Sequence, residues 1–166
     1  MNARLPPLAL LLGAGGLVPF LACGLGSVTA GGAVPADRAL LALIEYAAII
    51  LSFLGAVHWG MALAGPGATG GGSWRRGADS LRLALGVLPA LIGWAALLVS
   101  VAAAPAIALA LLIAGFLATT VVEARAAGDG LVPAGYMRMR WGLTLVVVLV
   151  LALVLLSRVS GVVIQL

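Results

Sequence analysis

The hydrophobic positions of this chain fall into five long runs, and the segments between the runs carry most of the charged residues. A bilayer core about 30 Å thick is crossed by a helix of about 20 apolar residues, and each run is long enough to cross it. The pattern predicts an all-α membrane protein: one compact bundle of five transmembrane helices in a single domain over residues 1–166. The predicted spans are about 5–26, 39–64, 81–103, 106–122 and 141–163.

The first run also has some features of a signal peptide. Arg4 precedes it, and the small residues around Thr29 resemble a cleavage site. The run is longer than a signal core, so we expect it to be retained as a span. Pro19 in this span and Pro89 in the third lack a backbone N–H donor, and each is expected to kink its helix.

Composition supports the membrane assignment. Of the 166 residues, 64% are hydrophobic and 8% are charged, about a third of the charged fraction of a soluble domain. All nine basic residues are arginine, and the formal net charge is +4. Because these arginines lie at the ends of apolar runs, we expect them to contact lipid headgroups and not nucleic acid. The single cysteine, Cys23, allows no intrachain disulfide.

The distribution of arginine predicts an orientation. On a five-span topology, two arginines fall on the far side of the membrane, Arg38 and Arg158, and the other seven lie on the side of the N-terminus. Arginine-rich loops remain in the cytoplasm. We therefore expect a multi-pass protein of the bacterial inner membrane, with a cytoplasmic N-terminus and a periplasmic C-terminus. The side chains expected at the lipid headgroups are Trp74, Arg75, Arg76, Arg138, Arg140 and Trp141.

The second span carries a stripe of small residues at every fourth position: Ala48, Ser52, Ala56 and Gly60. Such stripes let another membrane helix approach closely, so these residues are predicted to pack against a neighbour. The third span is a suitable partner because its own small residues share one face at 100° per residue. They are Gly86, Ala90, Gly93 and Ser100.

The second span also contains an acidic residue, Glu45. An ionised side chain at the centre of a span costs about 2.5–3.5 kcal/mol and is a functional candidate by default. Arg158 lies at a similar depth in the fifth span, so the first interpretation is an ion pair that fixes helix packing. The alternative is that Glu45 binds a proton or a substrate.

At the other end of the same span, His58 and Trp59 form a separate candidate site. His58 lies about 20 Å along the helix from Glu45, too far to share one acid–base site. It is interpreted first as an interfacial histidine bonded to Glu123 or Arg125, and alternatively, with Trp59, as a contact for a quinone headgroup or another ligand. One histidine is too few for a bis-histidine haem or a four-ligand zinc site, so no metal or cofactor is predicted.

Residues 123–140 are predicted to connect the fourth and fifth spans. This connection begins with a helix end closed near Gly128 and a turn around Asp129-Gly130, and Arg138 and Arg140 follow in a solvated positive collar at the membrane surface. Residues 65–80 form a second, glycine-rich connection. With no lysine in the chain, it does not fit a phosphate-binding loop.

Several of these residues together resemble a known family. The specific part is the run from Ser52 to Gly60, Ser-Phe-Leu-Gly-x-x-His-Trp-Gly, supported by Leu17-Val18-Pro19-Phe20, Tyr46, Leu88-Pro89, Trp94, Tyr136, Arg138, Arg140 and Leu143-Thr144. This combination is similar to the uncharacterised bacterial and mitochondrial family that includes transmembrane protein 69. The resemblance implies a small multi-span membrane protein with no assigned activity, and it adds weight to His58 and Trp59.

Two hypotheses on function follow. The first is a non-catalytic accessory, structural or assembly subunit of a membrane complex, for example an energy-transducing one, whose partners are lipids and other subunits or further copies of the chain. The alternative is a protein that binds or transports a quinone, a lipid or an ion through the second span. An enzyme is not predicted, because no catalytic set is apparent.

Overall fold

Helices make up nearly all of the part of the chain described in the computed structural model, which covers residues 7–30, 34–63, 76–128, 134–161 and 164–165. The six helices are α1 (Pro7–Gly15), α2 (Val18–Val28), α3 (Ala36–Leu63), α4 (Arg76–Val101), α5 (Pro105–Gly128) and α6 (Ala134–Ser160). Two strands of two residues each, β1 (Thr29–Ala30) and β2 (Ile164–Gln165), pair in parallel, with Thr29 opposite Ile164.

The helices pack as a closed bundle. Each of α2 to α5 packs against the next helix in the chain, α2 also contacts α6, and α3 contacts α5. Helix α3 is central, since four of its side chains, Leu43, Ile44, Ala47 and Leu51, have no exposed surface. They meet buried residues of the other helices, chiefly Phe20, Leu109, Leu112, Phe116 and Leu151.

The outside of the bundle is apolar as well. Ile49, Phe53, Trp94 and Leu153 are each at least 60% exposed. Among the described residues, four stretches are long and apolar enough to cross a membrane: Pro7–Val28, Ala36–Val57, Pro105–Arg125 and Gly135–Ser160. The apolar part of α4, Gly86–Val101, is shorter. The chain is therefore an all-helical bundle with four to five apolar helices suited to a membrane; the topology of exactly five spans and the orientation of the termini stay predictions.

The first predicted span is broken. Helix α1 ends at Gly15, α2 begins at Val18, and Pro19 lies in the first turn of α2, where its missing N–H leaves no helical bond unmade. The Tyr46 hydroxyl donates a hydrogen bond of 3.1 Å to the Gly16 carbonyl in the break. Pro89, in contrast, lies inside a continuous α4. The two prolines thus differ, since Pro19 follows a pair of adjacent glycines, Gly15 and Gly16, whereas Pro89 follows the single Gly86, which is packed against Gly55.

The connection predicted over residues 123–140 is mostly helical. Helix α5 ends at Gly128, where the sequence predicts a helix end, and α6 begins at Ala134. Glu123 and Arg140 are therefore helical residues. The last helix starts before the predicted span at 141, because Arg140 lies inside the bundle and not in a solvated loop.

Candidate functional site

Four polar side chains form a buried cluster between α5 and α6. Arg140 donates from Nε to Glu123 Oε2 at 2.6 Å, and from Nη1 to Thr144 Oγ1 at 2.9 Å. Thr144 Oγ1 lies 2.9 Å from Thr120 Oγ1, and Thr120 in turn donates to the Phe116 carbonyl. None of the four residues is more than 3% exposed. The cluster is thus a connected polar network in an apolar bundle.

Helical spacing explains how the cluster forms. Thr120 and Glu123 are three residues apart on α5, and Arg140 and Thr144 are four apart on α6, so each pair shares one face of its helix. The two faces meet where α5 packs against α6. Removing one partner of such a buried ion pair leaves an uncompensated charge, which is far costlier than replacing both.

One donor of the cluster is unused. Arg140 Nη2 is buried and has no hydrogen-bond partner in the described part of the chain. Buried polar atoms are nearly always bonded, so each exception requires an explanation.

Arg140 was predicted to contact lipid headgroups, and this prediction is wrong. Its side chain is buried against Glu123. Arg138 and Trp141 are exposed, as a headgroup contact requires. Since Arg138 and Arg140 are separated by about 200° around α6, they cannot both face the same surroundings.

A cleft of about 160 Å³ lies beside the cluster. Its walls come from the break between α1 and α2, from the middle of α3, and from α6. Arg140 and Thr144 are the polar side chains that line it, and Leu12 and Phe53 lie at its outer edge, 68% and 64% exposed. The cleft therefore joins the outer surface of the bundle to a charged group in the interior.

Helices α3 and α4 meet along a seam of small residues. A Cβ atom on Gly55 would collide with the Gly86 carbonyl, and one on Gly93 would lie 2.9 Å from the Ala48 carbonyl. Next to this contact, the Trp59 ring packs against Gly86, and its indole N–H donates to the Leu83 carbonyl at 3.1 Å. The seam shows a structural use for Gly55 and Trp59 of the signature run.

The small-residue stripe predicted for the second span lies partly inside the bundle and partly on its outer surface. Ala48 is buried against Gly93, and Ser52 is partly buried and bonds back to the Ala48 carbonyl. Ala56 and Gly60 are exposed on the outside of α3. The second half of the stripe is thus not covered by a described residue of this chain.

Glu45 and Arg158 do not form the predicted ion pair. Arg158 Nη1 donates to Asp37 Oδ1 at 2.8 Å, and Nη2 donates to the Ser27 and Ala36 carbonyls. Arg158 therefore ties α6 to the connection between α2 and α3. Glu45 is exposed on the outside of α3, on a different side of that helix from its buried residues.

Some predicted site residues cannot be placed. Trp74 and Arg75 lie outside the described residues, as do the side chains of His58 and Arg76, although both of these positions are helical. Of the sites predicted at this end of the second span, Trp59 is described, and its N–H group is engaged by Leu83. Among the described residues, no group of three or more His, Cys, Asp or Glu could hold a metal ion.

Sequence reasoning missed the Glu123–Arg140 cluster. The available signal was the presence of an acid and a base at the adjoining ends of two apolar runs, with threonines one helical turn away on the interior side. That signal was read as a solvated collar because Arg138 stands beside Arg140.

The chain has apolar helices long enough to span a membrane, an apolar outer surface and a polar cluster in its interior. Together these features define a helical multi-pass membrane protein. Residues 5–156 match one family throughout. The chain belongs to this family, DUF3429, which is described as proteins of unknown function. No curated protein and no solved structure matches the chain.

Proposed function

We propose that this protein is a non-catalytic accessory subunit, with a structural or assembly role in a larger membrane complex, and that a helix of another subunit packs on the outer face of α3. The observation that carries the proposal is Glu45. It lies about 14 Å along α3 from Ala36, within the stretch suited to a membrane, and its side chain is exposed.

The surroundings of Glu45 fit a helix-binding surface. Leu41, Ile49, Ala56 and Gly60 are all exposed and lie within about 60° of Glu45 around the helix. We call these five residues the outer face of α3. The face combines small residues, which permit close approach, with large apolar side chains that would pack beside the incoming helix.

Charge explains why a protein partner fits better than lipid. No hydrogen bond or ion pair joins Glu45 to another residue in the described ranges, and acyl chains offer neither. Charged groups in spans normally pair with one another or face the interior of a bundle. A partner helix with a basic or hydrogen-bond-donating side chain would satisfy the carboxylate.

The proposal is tested by native gel electrophoresis of the protein extracted from its own membranes in mild detergent. The wild type should migrate in an assembly larger than a monomer, while Glu45→Leu and Ala56→Leu should release the monomer. Ala110→Leu is the matched control, because Ala110 is also exposed but lies on α5. The proposal would be contradicted if the wild type were a monomer in several detergents, or if all variants assembled equally. An assembly that contains this chain alone would show that the partner is a second copy and not another subunit.

The alternative, a protein that binds or transports a quinone, a lipid or an ion through the second span, has less support there. The Trp59 N–H group is engaged within the bundle, and Glu45 faces outward at a distance from Trp59.

We further propose the location inferred from arginine placement: the bacterial inner membrane, with a cytoplasmic N-terminus and a periplasmic C-terminus. The specific relationship to transmembrane protein 69 is likewise a proposal. Fusions of each terminus to a reporter that is active only in the cytoplasm test the orientation; signal from the C-terminal fusion alone would reverse it.

A further inference from the structure

We infer that the cleft beside Arg140 is a binding site for an uncharged, lipid-soluble molecule that presents a carbonyl oxygen to the guanidinium group. The first observation is the unused donor. Arg140 is 3% exposed and lines the cleft, and its Nη2 atom has no partner among the described residues. A carbonyl oxygen is an acceptor that would complete its hydrogen bonding.

The charge of the cluster decides between a neutral ligand and an anion. The Glu123 carboxylate already balances the Arg140 guanidinium at 2.6 Å. A carboxylate or phosphate would bring a second negative charge close to Glu123 in surroundings of low dielectric, where repulsion is strong. An uncharged acceptor gains the hydrogen bond without that repulsion.

The size and lining of the cleft indicate what the rest of the ligand is like. A volume of about 160 Å³ is close to that of an engineered apolar cavity that holds one benzene molecule, about 150 Å³. The remaining walls are apolar, with the Phe20 and Phe116 rings among them. The cleft thus suits one six-membered ring with a carbonyl group, as in a single-ring quinone, or the ester group of an acyl lipid.

The entrance is consistent with a ligand that arrives from the membrane. Leu12 and Phe53 at the outer edge are exposed, and both lie in stretches suited to a membrane. An apolar tail could therefore remain among the lipid acyl chains while the head enters the cleft. This site differs from the outer face of α3 and does not depend on the proposed partner.

The test uses the full-length protein in mild detergent and follows the shift of its unfolding temperature with ligand concentration, which yields a dissociation constant. The probes are a decyl-substituted benzoquinone, ethyl decanoate, decylbenzene and decanoate. The benzoquinone or the ester should stabilise the protein, and the stronger of the two identifies the source of the carbonyl. Decylbenzene, which has no acceptor, should bind about 10- to 100-fold more weakly, as expected for loss of a hydrogen bond to a charged group. Decanoate should also bind more weakly than the carbonyl probes, because Glu123 repels its carboxylate.

Two variants examine the cleft separately. Glu123→Leu combined with Arg140→Met removes the donor and both charges together, and should weaken carbonyl binding by the same about 10- to 100-fold factor. Leu54→Phe places a larger side chain in the wall of the cleft and leaves both residues of the ion pair unchanged, so it should abolish stabilisation by the carbonyl probes. Leu145→Phe, on the exposed side of α6, should not. The inference is overturned if decylbenzene stabilises the protein as well as the carbonyl probes do, if decanoate binds most tightly, or if Leu54→Phe responds like the wild type.

Discussion

Arg140 on α6 donates to Glu123 on α5 across 2.6 Å, and both side chains are almost completely buried. This ion pair makes the packing of α5 on α6 depend on charge as well as on shape. We expect Arg140→Ala to lower the free energy of unfolding by about 3–5 kcal/mol, because the buried Glu123 carboxylate would lose the cation that Arg140 places 2.6 Å from it. Equilibrium unfolding in mixed detergent micelles measures the change.

The control for this prediction is the double variant Glu123→Leu with Arg140→Met. It replaces both charges with apolar groups, so its stability should lie close to that of the wild type. If the double variant were as unstable as Arg140→Ala, the loss would reflect packing volume and not an unpaired charge.

The contact between Gly55 and Gly86 predicts that neither position accepts a side chain. A Cβ atom on Gly55 meets backbone, which cannot move aside as a flexible side chain can. Gly55→Ala should therefore destabilise the protein by about 1–3 kcal/mol, the usual range for overpacking. Gly60→Ala, five residues further along the same helix and with nothing within 4 Å of its Cβ position, should be nearly neutral. Similar losses in both variants would show that the seam is not tight.

Arg158 and Asp37 are expected to contribute unequally to the stability of the protein, although they form one ion pair. The Asp37 side chain is 89% exposed, and exposed pairs contribute about 0–1 kcal/mol. Asp37→Ala should therefore change stability little. Arg158→Ala also removes the bonds to the Ser27 and Ala36 carbonyls, so we expect a loss of about 1–3 kcal/mol. Thermal unfolding of the two variants side by side measures the difference. The prediction would be contradicted if Asp37→Ala were less stable than Arg158→Ala.

Tyr46→Phe should separate the two contacts of that side chain. The variant keeps the edge-to-face contact with Phe20, where the ring centroids are 5.1 Å apart, but loses the hydroxyl bond to Gly16 in the break between α1 and α2. A loss of about 0.5–1.5 kcal/mol is expected. Faster amide exchange limited to α1 and the break would locate the effect there, whereas uniform change across the bundle would argue against it.

Much of the helical layout could be predicted from hydrophobic run length. The second predicted span, 39–64, overlaps α3 at Ala36–Leu63, and the fourth, 106–122, lies within α5. Run length measures the thickness of the apolar surroundings and not where helical hydrogen bonding ends. The fourth predicted span therefore stops at 122, whereas α5 continues to Gly128, the helix end that the glycine itself indicates. It also could not distinguish Pro19, where the helix breaks, from Pro89, where it continues.

The polar contacts were harder to predict because they depend on which face of each helix turns inward. Arg158 was predicted from its depth to pair with Glu45, but it pairs with Asp37. Arg140 was assigned to the surface because its neighbour Arg138 belongs there. In each case the rotation of a helix about its axis decided the partner, and a hydrophobic run that is apolar on all sides carries little information on rotation.

The backbone contact at Gly55 also fixes the alignment of α3 along α4. Sliding by one helical turn, about 5.4 Å, would bring Leu51 or Trp59 opposite Gly86, where not even a Cβ atom fits. A slide of the two helices past each other is therefore excluded as long as this contact is kept. A conformational change that keeps it must be accommodated elsewhere in the bundle, and the interruption between α1 and α2 at Gly16 is one place where the run of helical hydrogen bonds is already broken.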